Sequence, residues 1–167
     1  MTTYCFPPVR RGECKEFTRL DPERAGKLTV QDVYYREGLE VVRDKYKKLQ
    51  QPLISCKLDL GDPIQCTAGK SQFWINLDGS MVPCGMLKIP VAYPMKDGFT
   101  AAWQQLKKST AAIRLCPECT GCEEKSYCMN CAAVTYTETG RFDGKPEYMC
   151  RLNKAYREAL KKYSIME

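Results

Sequence analysis

Hydrophobic residues recur at helical spacing in three stretches of the chain. Val30, Val33, Tyr34, Val41, Val42, Tyr46 and Leu49 fall largely on one face. With Thr29 and Asp32 in the positions of a capping box, the pattern predicts a helix over about 30–49, ended before Pro52. A shorter helix start lies upstream, with Asp21 as N-cap and Pro22 at the first helical position. A second helix is expected over about 97–113, with Phe99, Ala102, Trp103, Leu106, Thr110 and Ile113 on one side. The third runs over about 151–163, with Leu152, Ala155, Tyr156, Ala159, Leu160 and Tyr163. These stripes read as core. Between the first two helices, SQFWINLDGSMVPC places two β-prone runs around Asp78-Gly79, a hairpin signal. Phe73 and Trp74 read as sheet and core packing rather than an electron relay. Residues 1–28 are otherwise irregular, and 116–150 are rich in turns. The fold class expected is α+β, small and loop-rich, with a β-hairpin and cysteine knuckles flanked by helices.

Composition changes this picture at one residue type. Eleven cysteines occur among 167 residues, five of them in CPECTGCEEKSYCMNC, and there is no histidine. Thiols without imidazole point to metal held by sulfur, in four-thiolate zinc sites or iron–sulfur clusters. They exclude zinc fingers with histidine ligands, Ser-His-Asp and Cys-His catalysis, and histidine proton shuttles. The net charge is +6, and part of it lies on helical stretches such as Lys45, Lys47, Lys48 and Lys154, Arg157, Lys161, Lys162. These read as solvated helix faces. No long basic run with interleaved aromatics argues for nucleic acid. The first residues carry no apolar signal segment, and no run of about 18 apolar residues suggests a membrane span. A cytoplasmic location is expected, where thiols stay reduced; the odd cysteine count also speaks against a secreted disulfide framework.

The cysteines form two blocks. Cys66-x12-Gly79-x4-Cys84 puts a thiol at each end of the hairpin. Cys119-x2-Cys122-x5-Cys128-x2-Cys131 is followed, after eighteen residues, by Cys150. A C-x2-C turn lets two thiolates bind one centre while backbone N–H groups offset their charge. This arrangement resembles the SPASM domain, the auxiliary-cluster extension of radical SAM enzymes that modify peptides and proteins. Cys66, Gly79, Cys84, Cys119, Cys122, Cys128 and Cys150 match its pattern over roughly residues 56–155. The departure is the two-residue gap before Cys131, where the family has three.

The resemblance implies a metal-stapled fold holding two [4Fe–4S] clusters in a crossed arrangement. Cys66, Cys84 and Cys131 would hold the first, with Cys56 the nearest candidate for a fourth ligand. Cys119, Cys122, Cys128 and Cys150 would hold the second, with Cys116 as a possible alternative ligand. Residues 1–55 would be a linker and helical segment leaving a catalytic barrel, and 56–167 the cluster domain. Cys5 and Cys14 lie outside the motif and read as ordinary thiols.

The C-x3-C-x2-C loop that binds S-adenosylmethionine in the radical SAM core does not occur in this sequence. No general base is apparent, and the chain is not expected to be catalytic alone. Its partners would be a radical SAM core, which would supply the S-adenosylmethionine chemistry, and a peptide or protein substrate, for which an exposed edge of the hairpin is a candidate pairing site. The alternative function is a zinc-stabilised interaction module with two four-thiolate sites and no redox role.

Overall fold

The computed structural model describes residues 20–50, 67–124, 128 and 130–166. Cys5, Cys14, Cys56, Cys66, Lys125 and the expected division at residue 55 lie outside them. Within them the protein is α+β, with more helix than a loop-rich chain was expected to hold.

Asp21 caps α1 (Pro22–Glu37), its carboxylate accepting from the Arg24 N–H at 3.0 Å. The helix does not restart at Thr29. Thr29 lies mid-helix, its hydroxyl donating to the Ala25 carbonyl at 2.8 Å, so the expected capping box is not formed. The break comes at Gly38, whose φ of 90° only glycine adopts at little cost, and α2 (Leu39–Gln50) follows. The single helix expected over 30–49 is therefore two.

Both pack on α7 (Glu147–Ser164) through Val30, Val33, Val42, Ala159 and Leu160, ringed by Tyr34, Val41, Tyr46, Leu49, Tyr156 and Tyr163. At Gly26 a Cβ would lie 2.7 Å from the Leu152 carbonyl oxygen, so only glycine lets α1 approach α7 this closely. Arg151 of α7 clasps the Glu23 carboxylate with two hydrogen bonds of 2.6 and 2.7 Å. That guanidinium holds Glu23 down at about 2. The α7 helix begins four residues earlier than its apolar stripe suggested. Its first turn is capped from a distance, since Glu138 accepts the Tyr148 N–H at 2.6 Å.

The hairpin is present and short. β1 (Trp74–Ile75) pairs antiparallel with β2 (Met81–Val82). The turn is closed by Gly79 N–H donating to Asn76 and Asn76 N–H donating to Ser80. Gly79 sits at φ 78°, the left-handed position this three-residue loop requires. Asp78 accepts from both the backbone N–H and the hydroxyl of Ser80, which holds its carboxyl below the usual range.

After the hairpin come α3 (Pro94–Asp97) and α4 (Phe99–Ala111), separated by Gly98. Met81, Ala92, Ala102 and Leu106 form a small core with Phe73 and Trp103 against it. Phe73 packs as expected. Trp74 does not: it is 53% exposed. Phe99 is likewise half exposed rather than buried. Two short helices in the cysteine-rich region, α5 (Pro117–Thr120) and α6 (Ala132–Thr139), were read only as turns in the sequence.

Candidate metal centre

The described cysteines are all free thiols, and the fold sorts them into two groups. Cys84 and Cys131 pack against one apolar cluster built from Ala68, Leu87, Ile113, Ala132 and Ala133. Cys84 ends the hairpin and opens a tight turn, its carbonyl accepting from Leu87 N–H at 3.1 Å. Cys131 is the N-cap of α6, at the positive end of the helix dipole. Ala68, two residues after Cys66, belongs to the same cluster. Cys66 and Cys56 lie outside the described residues. The hairpin end and the far end of the knuckle, 47 residues apart in the chain, thus both pack on this one cluster.

The second group gathers around the start of α7. Cys116 precedes α5, and its thiol hydrogen-bonds that of Cys119. Burial pushes the Cys119 thiol up to about 12, helped by the nearby Cys116, Cys150 and Cys128. Burial also raises Cys150, to about 11, with Cys128, Glu147 and Cys122 adding to it. Cys128 is raised by burial of its sulfur although the residue as a whole is exposed; Cys122 and Glu124 add to the shift and a hydrogen bond from the Asn130 backbone opposes it. Cys119 feels Cys116 most strongly, then Cys150 and Cys128, and those two in turn feel Cys122, so all five thiols are linked in one electrostatic neighbourhood. Without a cation, burial and the neighbouring thiols hold the protons on Cys119, Cys128 and Cys150. A cation inverts that preference and takes them as thiolates.

Two side chains bind this group to α7. Asn153, almost fully buried, donates its amide to the Cys128 sulfur at 3.1 Å. Glu124 pairs with Arg157 at 2.6 Å, so it is not the solvated turn residue it resembles in the sequence. Asn153 lies three residues after Cys150, on the same helical face. That spacing could have flagged it as a neighbour of Cys150, but its partner is Cys128, twenty-five residues away.

No family model, curated protein or solved structure matches the chain. Among the described residues, no group of three or more Cys, Asp or Glu is arranged to hold a single metal ion. A cube of iron and sulfide reaches ligands further apart than one tetrahedral ion does. The donor chemistry fits such a cluster: soft sulfur ligands, partial burial, and N–H groups aimed at sulfur.

No helix of the described residues is long and apolar enough to cross a membrane.

Proposed function

We propose that this chain is an auxiliary-cluster domain of the SPASM type, binding two [4Fe–4S] clusters for a radical SAM enzyme that modifies peptides or proteins. The observation that carries the reading is the partition of the thiols. Cys84 and Cys131 share one apolar cluster, while Cys119, Cys122, Cys128 and Cys150, together with Cys116, share another neighbourhood. Spacing along the chain does not dictate that division, since Cys131 is far nearer to Cys128 in sequence than to Cys84.

In this reading Cys66, Cys84 and Cys131, with Cys56 as fourth ligand, hold the first cluster. Cys119, Cys122, Cys128 and Cys150 hold the second, with Cys116 as the alternative ligand. The clusters would supply one-electron transfer when bound. The protein's residues position and tune them: Asn153 and the Asn130 N–H place positive dipoles on the Cys128 sulfur, and α7 fixes Cys150 relative to the knuckle. The radical-generating core and the substrate peptide are the partners implied, in the cytoplasm.

Anaerobic reconstitution followed by EPR of the reduced protein tests the assignment. The wild-type chain should give two distinguishable [4Fe–4S] signals. Cys84→Ala should remove one and Cys119→Ala the other. Zinc bound without either signal would replace the redox role with a structural one.

A further inference from the structure

Resting on the reading above, we propose that the open edge of β1 is the docking site for an extended apolar segment of the substrate peptide, which adds as a third strand beside Ile75. The hairpin register supports this. Ile75 stands opposite Met81. Met81 exchanges both backbone hydrogen bonds with Ala92 on its far side, at 2.8 and 2.9 Å. The next residue pair of the hairpin is bonded inward, with Asn76 N–H donating to Ser80 at 2.9 Å. Hydrogen-bonded and non-bonded pairs alternate along an antiparallel ladder. Ile75 and Met81 are therefore a non-bonded pair, and the Ile75 N–H and C=O point away from β2. Met81 has its outward partner in Ala92. Ile75 has none among the described residues. A donor and an acceptor presented together on one extended residue are matched by another extended backbone.

The edge is two residues long, which limits it, but it carries neither lysine nor proline, the side chains that commonly guard sheet edges. Trp74, Ile75 and Leu77 are 53%, 47% and 110% exposed, and Met95 and Phe99 are also exposed, at 90% and 50%. Met95 lies against the turn, 3.7 Å from where a Cβ on Gly79 would stand. These side chains offer apolar contact to alternate residues of an added strand. Location supports a substrate rather than an arbitrary partner. The Trp74 indole lies 3.5 Å from a Cβ built on Gly85, the residue after Cys84. A strand docked on β1 thus runs beside the first thiol group.

The test uses the reconstituted full chain and a fluorescein-labelled heptapeptide alternating valine, threonine and isoleucine between terminal lysines. Its anisotropy should rise saturably. The same peptide N-methylated at its three central residues keeps its side chains but loses its donors. It should bind about tenfold more weakly, the scale of one or two lost backbone hydrogen bonds. Ile75→Pro removes the outward N–H and should weaken binding similarly, while Lys161→Gln should not. The methylated peptide, tested on the unaltered chain, keeps the proposal falsifiable if Ile75→Pro misfolds. Equal binding of the two peptides, no saturable binding, or a concentration-dependent dimer abolished by Ile75→Pro would each overturn it. Iron counted on the same samples separates the two claims: peptide bound by iron-free protein overturns the cluster reading and leaves this one standing.

Discussion

The bundle of α1, α2 and α7 and the cysteine-bearing half are held together in different ways. The bundle closes on a run of branched and aromatic side chains, with Val30, Val42 and Leu160 fully buried and Gly26 admitting α7 against α1. The cysteine-bearing half has two clusters in which alanine is the commonest buried residue, and Cys84 and Cys131 pack against one of them. Burying alanine removes little apolar surface from water, so it contributes far less than burying leucine or valine. One half can be stable by apolar burial alone. On the proposed reading the other would gain most from a cluster that binds only the folded arrangement of its sulfurs, because such binding is also folding free energy. The α7 helix serves both, with Ala159 and Leu160 in the bundle and Cys150 and Asn153 in the thiol group.

The comparison breaks most readily at Cys150. Cys150→Ala should cut iron after reconstitution by about half, from about eight to about four per chain. The far-UV circular dichroism of the bundle should persist. Collapse of the bundle as well would mean that the two halves do not differ in what holds them. Leu160→Ala probes the other side. Truncating this fully buried residue should cost about 2–5 kcal/mol in urea unfolding, with metal loading unchanged once the protein is folded.

A subtler change is Asn153→Leu. Losing the amide that donates to Cys128 removes stabilisation of the more negative, reduced state, so the potential of the second cluster should fall while that of the first stays put. A shift of both, or of neither, would separate Asn153 from the cluster.

The smallest effect is expected at Arg151→Gln. Its pair with Glu23 is exposed, so the melting temperature should drop only slightly at neutral pH. Glu23 is held at about 2 in the folded protein against an ordinary value of 4.5. The folded state therefore binds this proton less readily than the unfolded state. The contribution is present above the ordinary value and is lost as pH falls toward about 2. The gap between wild type and Arg151→Gln melting temperatures should close over that window, and a gap unchanged by acid would assign the loss to packing.

How much was legible in the sequence follows the same division. The apolar stripes of α1, α2, α4 and α7 stood out because their buried faces repeat at helical spacing. Their ends did not, since Gly38 breaks a continuous stripe through backbone conformation and Glu138 extends α7 from outside it. The Asp78-Gly79 turn was readable because a three-residue loop needs glycine at positive φ. The α5 and α6 helices were missed because four- and eight-residue helices among cysteines leave too few repeats to detect. The thiol spacing marked the candidate cysteines, and their expected partition came only from family resemblance. The packing of Cys84 and Cys131 on one apolar cluster, and the contact of Asn153 with Cys128, come from distant segments and leave no periodic trace.

The central claim is that these sulfurs hold two iron–sulfur clusters. Iron and acid-labile sulfide per chain after anaerobic reconstitution test it most directly. The account predicts about eight of each, as two [4Fe–4S] clusters require. About two zinc ions with no labile sulfide after the same treatment would contradict it.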